Sequence, residues 1–217
     1  MWKNPFKNIK FTTPDGHFLH QSKPFFLISL VDMLLQKSAT FNIDLNAKDS
    51  DGNTAFELAC KNGHLEVTRM LLEKSSDLKI EITTKARYNE TAVHMASRNG
   101  HEKIIELLLN KSTELNIDLN AKDILGMTAF QFSCKYGHLE ITKMFLEKSI
   151  ELKIDLNTKT KYYEKTAFQM ATENGNSEII QLLLQKSTEL NIDVNTKDVS
   201  GRQHLILPTR MIEIKHK

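Results

Sequence analysis

Between Leu139 and Lys148 the apolar residues are Leu139, Ile141, Met144, Phe145 and Leu146, and the charged ones are Glu140, Lys143, Glu147 and Lys148. At 3.6 residues per turn these sort onto two sides, which predicts an amphipathic helix with one solvated face. Just before it, Phe130, Phe132 and the small Ser133 follow one another at spacings of two and one, predicting a shorter helix that starts at Thr128, a good N-cap. Gly137 turns the chain between the two helices. A turn segment leads into each such pair, as in the polar Asp49-Ser50-Asp51-Gly52, whose glycine can take positive φ.

The pattern recurs. Thr-Ala pairs begin at Thr54, Thr91, Thr128 and Thr166, and the joining glycines are Gly63, Gly100, Gly137 and Gly175; both series step by 37, 37 and 38 residues. A fixed period of this length predicts a solenoid of stacked units. Full repeats are expected at 48–84, 85–121, 122–158 and 159–196, within one domain at 14–207. Residues 14–47 read as a worn first repeat: His17-Phe18-Leu19-His20 aligns with Thr91-Ala92-Val93-His94, Pro24 is expected to cut a first helix short, and Ile28–Lys37 supplies a second. Residues 1–13 have no counterpart. A partial repeat spans 197–207, and 208–217 is a tail beginning at Pro208. Its Leu205, Ile206, Leu207, Met211 and Ile212 need cover. The tail is therefore read either as an unusual C-terminal cap or as the break-off point of a longer protein whose other domain carries an activity. Repeats two and four resemble each other, as do three and five, so faces should alternate along the array.

Composition adds bounds. Of 217 residues, 40% are hydrophobic and 26% charged, with a formal net charge of +2, so no overall field drives bulk binding to nucleic acid or membrane. Phe25–Leu35 is too short for a membrane span and contains Asp32. Cys60 and Cys134 occupy one position of two repeats. They lie about 20 Å apart at two layers of separation, too far for a disulfide, and read as small buried residues in a reducing compartment. The expected location is cytoplasmic, with the nucleus open and secretion excluded. The sequons at Asn89 and Asn110 are then silent.

The stretches Gly52-Asn53-Thr54-Ala55-Phe56, Gly63-His64-Leu65-Glu66 and Met70-Leu71-Leu72, with counterparts in the later repeats, resemble the ankyrin repeat. That resemblance implies an all-α, ankyrin-like solenoid of stacked helix-turn-helix repeats with β-turn tips. The chain departs from the family pattern in three ways. The proline of the T-P-L-H motif is Ala55, Ala92, Ala129 and Ala167. Its histidine survives as His94 but is Glu57, Gln131 and Gln169 elsewhere, so a softer stack is expected. Each unit is about four residues longer, and Leu108 and Leu115 stand seven apart, which predicts one more turn on the second helix, with Ile117 and Leu119 tucked beneath the next unit.

No catalytic chemistry is indicated. His64, His101 and His138 recur at 37 residues, but stacked layers about 10 Å apart cannot share ligation at about 2 Å, and their place after the turn glycine is a structural one in the family. His17 and His20 lack a matching ligand pair. There is no Cys-x-x-Cys, phosphate loop or nucleophile motif. No enzyme, metal or cofactor is expected.

The resemblance instead implies protein–protein interaction, as adaptor, inhibitor or scaffold, through a concave groove and the turn tips. Carried over by position, the candidate partner-binding residues are Asp51, Asn53, Arg87, Tyr88, Ile124, Leu125, Met127, Tyr162, Tyr163 and Lys165 at the tips, with Lys61, Arg98, Lys135 and Tyr136 on the inner helices. The tip Ile124-Leu125-Gly126-Met127 is apolar where a turn is normally polar, and reads as a hot spot beside the tyrosines or as packing on adjacent tips. Lys48, Lys85, Lys122, Lys159 and Lys197 form a column at the repeat interval, with Lys61, Arg98 and Lys135 as a second basic row. These read as solvated surface beside turn acids, or as a groove selecting an acidic partner protein. Binding of an oligoanion such as single-stranded nucleic acid is the alternative. A monomer is expected.

Overall fold

The computed structural model describes residues 23–197 together with Val199 and Gly201. Among these it holds ten α-helices and no strand. The chain divides into two compact units, 1–44 and 45–217. The segments expected at 1–13 and 208–217, most of the partial repeat at 197–207, and the first part of the worn repeat, with His17 and His20, lie outside the described residues.

In the first unit, α1 spans Lys23–Lys37. The sequence placed a helix end at Pro24 and a new start at Ile28. The helix instead begins at Lys23, because a proline in the first turn lacks only an N–H that would have no helical partner there.

In the second unit the chain runs through four helix pairs: α2 (Ala55–Lys61) and α3 (Leu65–Glu73) with a short α4 (Ser75–Leu78); α5 (Ala92–Asn99) and α6 (Glu102–Lys111); α7 (Ala129–Tyr136) and α8 (Leu139–Lys148); α9 (Ala167–Glu173) and α10 (Ser177–Lys186). The shorter helices pack in series α2–α5–α7–α9, and the longer ones in series α3–α6–α8–α10. Between the rows lies an apolar core that includes Phe56, Ile104, Ile105, Leu108, Phe130, Ile141, Phe145, Ile179 and Leu183, all at most 1% exposed. Each such side chain contributes roughly 1.5–3 kcal/mol by leaving water.

Thr54, Thr91, Thr128 and Thr166 each cap their helix as expected. Each hydroxyl takes the N–H three residues on, and that residue's side chain takes the threonine N–H in return. The returning residues are Glu57, His94, Gln131 and Gln169. Their far ends make further bonds: His94 Nε2 donates to the Met127 carbonyl at 3.0 Å and Gln131 Nε2 to that of Lys165 at 3.1 Å, both in the next repeat, while Gln131 Nε2 also donates to the Thr158 carbonyl at 2.7 Å and Gln169 Nε2 to the Thr196 carbonyl at 3.0 Å, each within its own repeat. Glu57 cannot donate; its Oε1 accepts from the Thr84 hydroxyl at 2.9 Å. Of the three replacements, Gln131 keeps the bond to the next repeat that His94 makes, whereas the described bonds of Glu57 and Gln169 stay within their own repeats.

The extra turn after the second helix is present in each repeat. Leu115 N–H donates to the Lys111 carbonyl at 3.0 Å and Ile117 N–H to that of Ser112 at 2.9 Å. The turn stops at a left-handed residue, Lys79, Asn116, Lys153 or Asn191, with φ between 52° and 53°. Leu119 and Leu156 are buried below it, as are Ile80, Ile154 and Ile192. Ile117 is only half-buried.

A histidine zipper joins the layers. His101 Nε2 donates to the Lys61 carbonyl and His138 Nε2 to that of Arg98, both at 2.9 Å, and Asn176 Nδ2 takes the same place on the Lys135 carbonyl at 3.1 Å while also reaching that of Cys134 at 2.8 Å. The rings lie directly over the turn glycines: a Cβ on Gly100 would stand 2.7 Å from the His138 ring.

Candidate protein-interaction surface

The turn tips are held from within. Asp49 Oδ1 accepts from the Asp51 and Asn53 amides at 2.9 and 2.8 Å, and Asp123 Oδ1 from those of Leu125 and Met127, both at 2.8 Å. Bonds from the Asn53 side chain and backbone hold the Asp49 carboxyl below its usual range. In the tip of repeat three, which has no glycine, Tyr88 and Asn89 take positive φ themselves. In repeat five the Thr160 hydroxyl replaces the aspartate, accepting from Lys165 N–H at 3.1 Å.

Successive tips are also tied by their backbones. Arg87 N–H donates to the Asp51 carbonyl, Ile124 N–H to that of Tyr88 and Lys161 N–H to that of Leu125, at 2.8 to 2.9 Å. On this frame Tyr88, Ile124, Leu125, Tyr136, Tyr162 and Tyr163 stand 43 to 61% exposed. The apolar tip is therefore open at Ile124 and Leu125. Met127 is not part of it: at 3% exposed it packs with Phe132 and Met170 in a core cluster. Asn53, also 3% exposed, is spent on the Asp49 carboxylate. Both candidates are corrected. The residue after the turn glycine faces the inner helix rather than solvent.

Position by position, the inner-helix face alternates as the paired repeats imply. In repeat three Arg98 pairs with Glu90, and in repeat five Lys165 pairs with Glu173 at 2.7 Å. These are the same two positions with the signs exchanged. Repeats two and four place Asn53 and Met127 opposite Lys61 and Lys135. Burial raises the Glu90 carboxyl above its usual range despite the Arg98 charge. Arg98 also lies 4.5 Å over the Phe132 ring, Tyr136 stacks on Phe132 at 6.0 Å, and the Lys135 amine sits 5.5 Å from the Tyr136 ring. The basic row Lys61–Arg98–Lys135 is thus interrupted, its central charge being matched by Glu90.

The lysine column is different. Lys48, Lys85, Lys122, Lys159 and Lys197 are all exposed, while Arg87 faces Asp51 at 3.4 Å. Lys122 and Lys159 line a shallow depression of about 570 Å³ together with Asn89, Asp123, Ile124, Lys161 and Tyr162. Sequence reasoning missed Asn89 and Lys161. Lys161, two residues past Lys159, is exposed like it while Thr160 between them is buried.

Among the described residues no group of three or more metal-ligating side chains comes together. Cys60 and Cys134 are free, and burial pushes both thiols up to about 12, so neither is a thiolate at neutral pH. No helix among the described residues is long and apolar enough to cross a membrane.

A family model described as ankyrin repeats, three copies, matches residues 25–123 and 115–198. The chain belongs to the ankyrin-repeat family. No curated protein matches it. Ankyrin repeats are in general protein–protein interaction modules and typically carry no enzymatic activity. Within this ankyrin array the tips and inner-helix face bring Tyr88, Leu125, Tyr136, Tyr162 and Tyr163 into exposed positions on a hydrogen-bonded frame.

Proposed function

We propose that the chain is a non-enzymatic binding module, an adaptor, inhibitor or scaffold, whose partner protein rests on the turn tips and the inner-helix face. The observation that carries this reading is the set of six large apolar and aromatic side chains left exposed at Tyr88, Ile124, Leu125, Tyr136, Tyr162 and Tyr163, on a backbone whose tips are bonded to one another. Rigid tyrosines on a fixed frame lose little entropy on binding and are enriched among residues that dominate interface energy. Two buried, unpaired cysteines fit a reducing compartment such as the cytoplasm.

Site-specific photocrosslinking tests it. A photoreactive residue at Leu125 or Tyr136, expressed in the cell of origin, is expected to trap a discrete protein, and Tyr162→Asp with Tyr163→Asp is expected to abolish the adduct. A crosslinker at Glu106, exposed on α6, is the control. Equal trapping from Glu106, or adducts indifferent to the tyrosine substitutions, would overturn the reading.

A further inference from the structure

Two basic features run along this molecule, and the structure separates them. On the inner-helix face alternate cations are already matched, Arg98 by Glu90 and Lys165 by Glu173. On the flank of the tips in repeats four and five they are not. Lys122, Asp123 and Ile124 read exposed, buried, exposed, as do Lys159, Thr160 and Lys161. The first and third residues of each set therefore share the solvent side of the chain where it enters the turn. The Lys161-to-Leu125 backbone bond at 2.8 Å puts the two segments side by side. Among the described residues none of Lys122, Lys159 and Lys161 enters an ion pair.

The acids nearby are bonded to other groups and form no ion pair with these three amines. Asp123 is buried with Oδ1 on two backbone amides. Asp155 is engaged by the Asn157 amide and the Thr158 hydroxyl. Asp193 feels Lys159 only as a weaker influence behind its own hydrogen bonds. Glu164 is exposed at the turn. Asn89 and the Tyr162 hydroxyl add donors around the depression, and the Lys161 amine lies 5.3 Å from the Tyr162 ring.

We propose that this flank binds an acidic polypeptide segment, with carboxylates over Lys122, Lys159 and Lys161 and an apolar side chain on Ile124. The proposal rests on the protein-binding reading above and names the partner's chemistry at one part of the surface. Charge complementarity sets the sign of the occupant. Ile124, which stands where other tips carry Ser50, Arg87 and Lys161, sets its class: a peptide offers acids and apolar groups side by side, whereas a phosphate backbone leaves Ile124 unused. A formal net charge of only +2 gives the whole chain little attraction for polyanions in general.

The test is fluorescence anisotropy on the full chain with three labelled probes: a peptide of glutamates and aspartates interspersed with leucines, the same peptide with every acid replaced by its amide, and a single-stranded oligothymidylate. Binding of the acidic peptide is expected to exceed that of the amide peptide by at least roughly tenfold at low salt, and to fall by roughly tenfold between about 50 and 300 mM NaCl. Lys122→Glu with Lys161→Glu should remove the preference, and Lys61→Glu with Lys135→Glu should leave it. Thermal unfolding checks each variant, and Lys122→Gln with Lys161→Gln replaces any charge reversal that fails to fold. Equal binding of the two peptides, equal loss from the inner-face variant, or tighter binding of the oligothymidylate would overturn the proposal. The crosslinks from Leu125 and Tyr136 do not depend on these lysines, so the two readings fail separately.

Discussion

His94 is the one motif histidine this array keeps, and its chemistry differs from that of the residues that replace it. Its Nδ1 accepts from Thr91 N–H at 3.1 Å while Nε2–H donates to the Met127 carbonyl at 3.0 Å. Those bonds require the neutral ring, and burial lowers its pKa from 6.5. A lowered folded-state value gives stability that is complete above the unfolded pKa and is lost as pH falls through the folded one. His94→Gln preserves both bonds, as Gln131 shows with the Thr128 amide and the Lys165 carbonyl, without a titrating group. Urea unfolding at pH 7.5 and pH 5 should therefore show a smaller acid loss in the variant than in the parent; equal losses would refute the assignment. Ser97 gives a second case. Its hydroxyl is fully buried, with no hydrogen-bond partner among the described residues. Its counterparts Cys60 and Cys134 each meet a threonine hydroxyl at 3.9 Å, Thr68 and Thr142, where repeat three has Ile105. Ser97→Ala is expected to stabilise by about 1 kcal/mol in urea unfolding. By contrast, Ser133→Ala, which loses bonds to the Phe130 carbonyl and the Thr142 hydroxyl at 2.8 and 3.0 Å, should destabilise by a similar amount.

At the scale of the element, the caps, the joining turns and the additional helical turn all follow from local spacing, and all were legible in the sequence. Less legible was which residue would take the left-handed position ending that turn. The family's glycine is absent, and the position is filled by Asn116 and Asn191 in repeats three and five but by Lys79 and Lys153 in repeats two and four. Asparagine takes this conformation with less strain than lysine. Lys153→Gly should therefore raise the urea midpoint, by about 1 kcal/mol in free energy, while Asn116→Gly should change it little. The joining glycines differ in the same measurable way. Gly100→Ala would add a Cβ 2.7 Å from the His138 ring as well as strain at φ 75°, whereas a Cβ on Gly175 meets nothing within 4 Å. The first substitution should cost about 2–4 kcal/mol and the second about 1–2; equal losses in thermal or urea unfolding would mean the zipper contributes no constraint. Met127 and Asn53 were misplaced for a related reason. Proximity in sequence to the tip suggested exposure, but a turn closed on an aspartate directs the residue after the glycine inward.

For the molecule as a whole, the period established the architecture, because a unit that cannot bury its own apolar face must stack. The period could not establish which charges cancel. Arg98 and Lys165 read as candidates of the same kind as Lys122, and only the fold shows that an acid eight residues away reaches each of the first two. That separation turns one basic groove into two surfaces, an alternating inner face and a lysine-rich flank. The stack also sets a gradient of local stability. The helices α5 and α7 each pack between two inner helices, and Phe130, Phe132 and Cys134 in α7 are at most 2% exposed. Hydrogen exchange should be slowest at the amides of these two helices; faster exchange there than in α9 would contradict the packing.

The backbone bonds between tips, the histidine zipper and the asparagine bridges have one thing in common: every link reaches only its adjacent repeat. Asn120, for example, holds the Lys153 carbonyl and the Asp155 amide, and Asn157 those of Asn191 and Asp193, at 2.8 to 2.9 Å. No described link skips a layer. Under mechanical tension such a structure can shed a terminal repeat by breaking the links and the interface that it shares with one neighbour. Each release would lengthen the chain by roughly 37 residues of extended backbone, about 130 Å, so extension would proceed in steps of about one repeat.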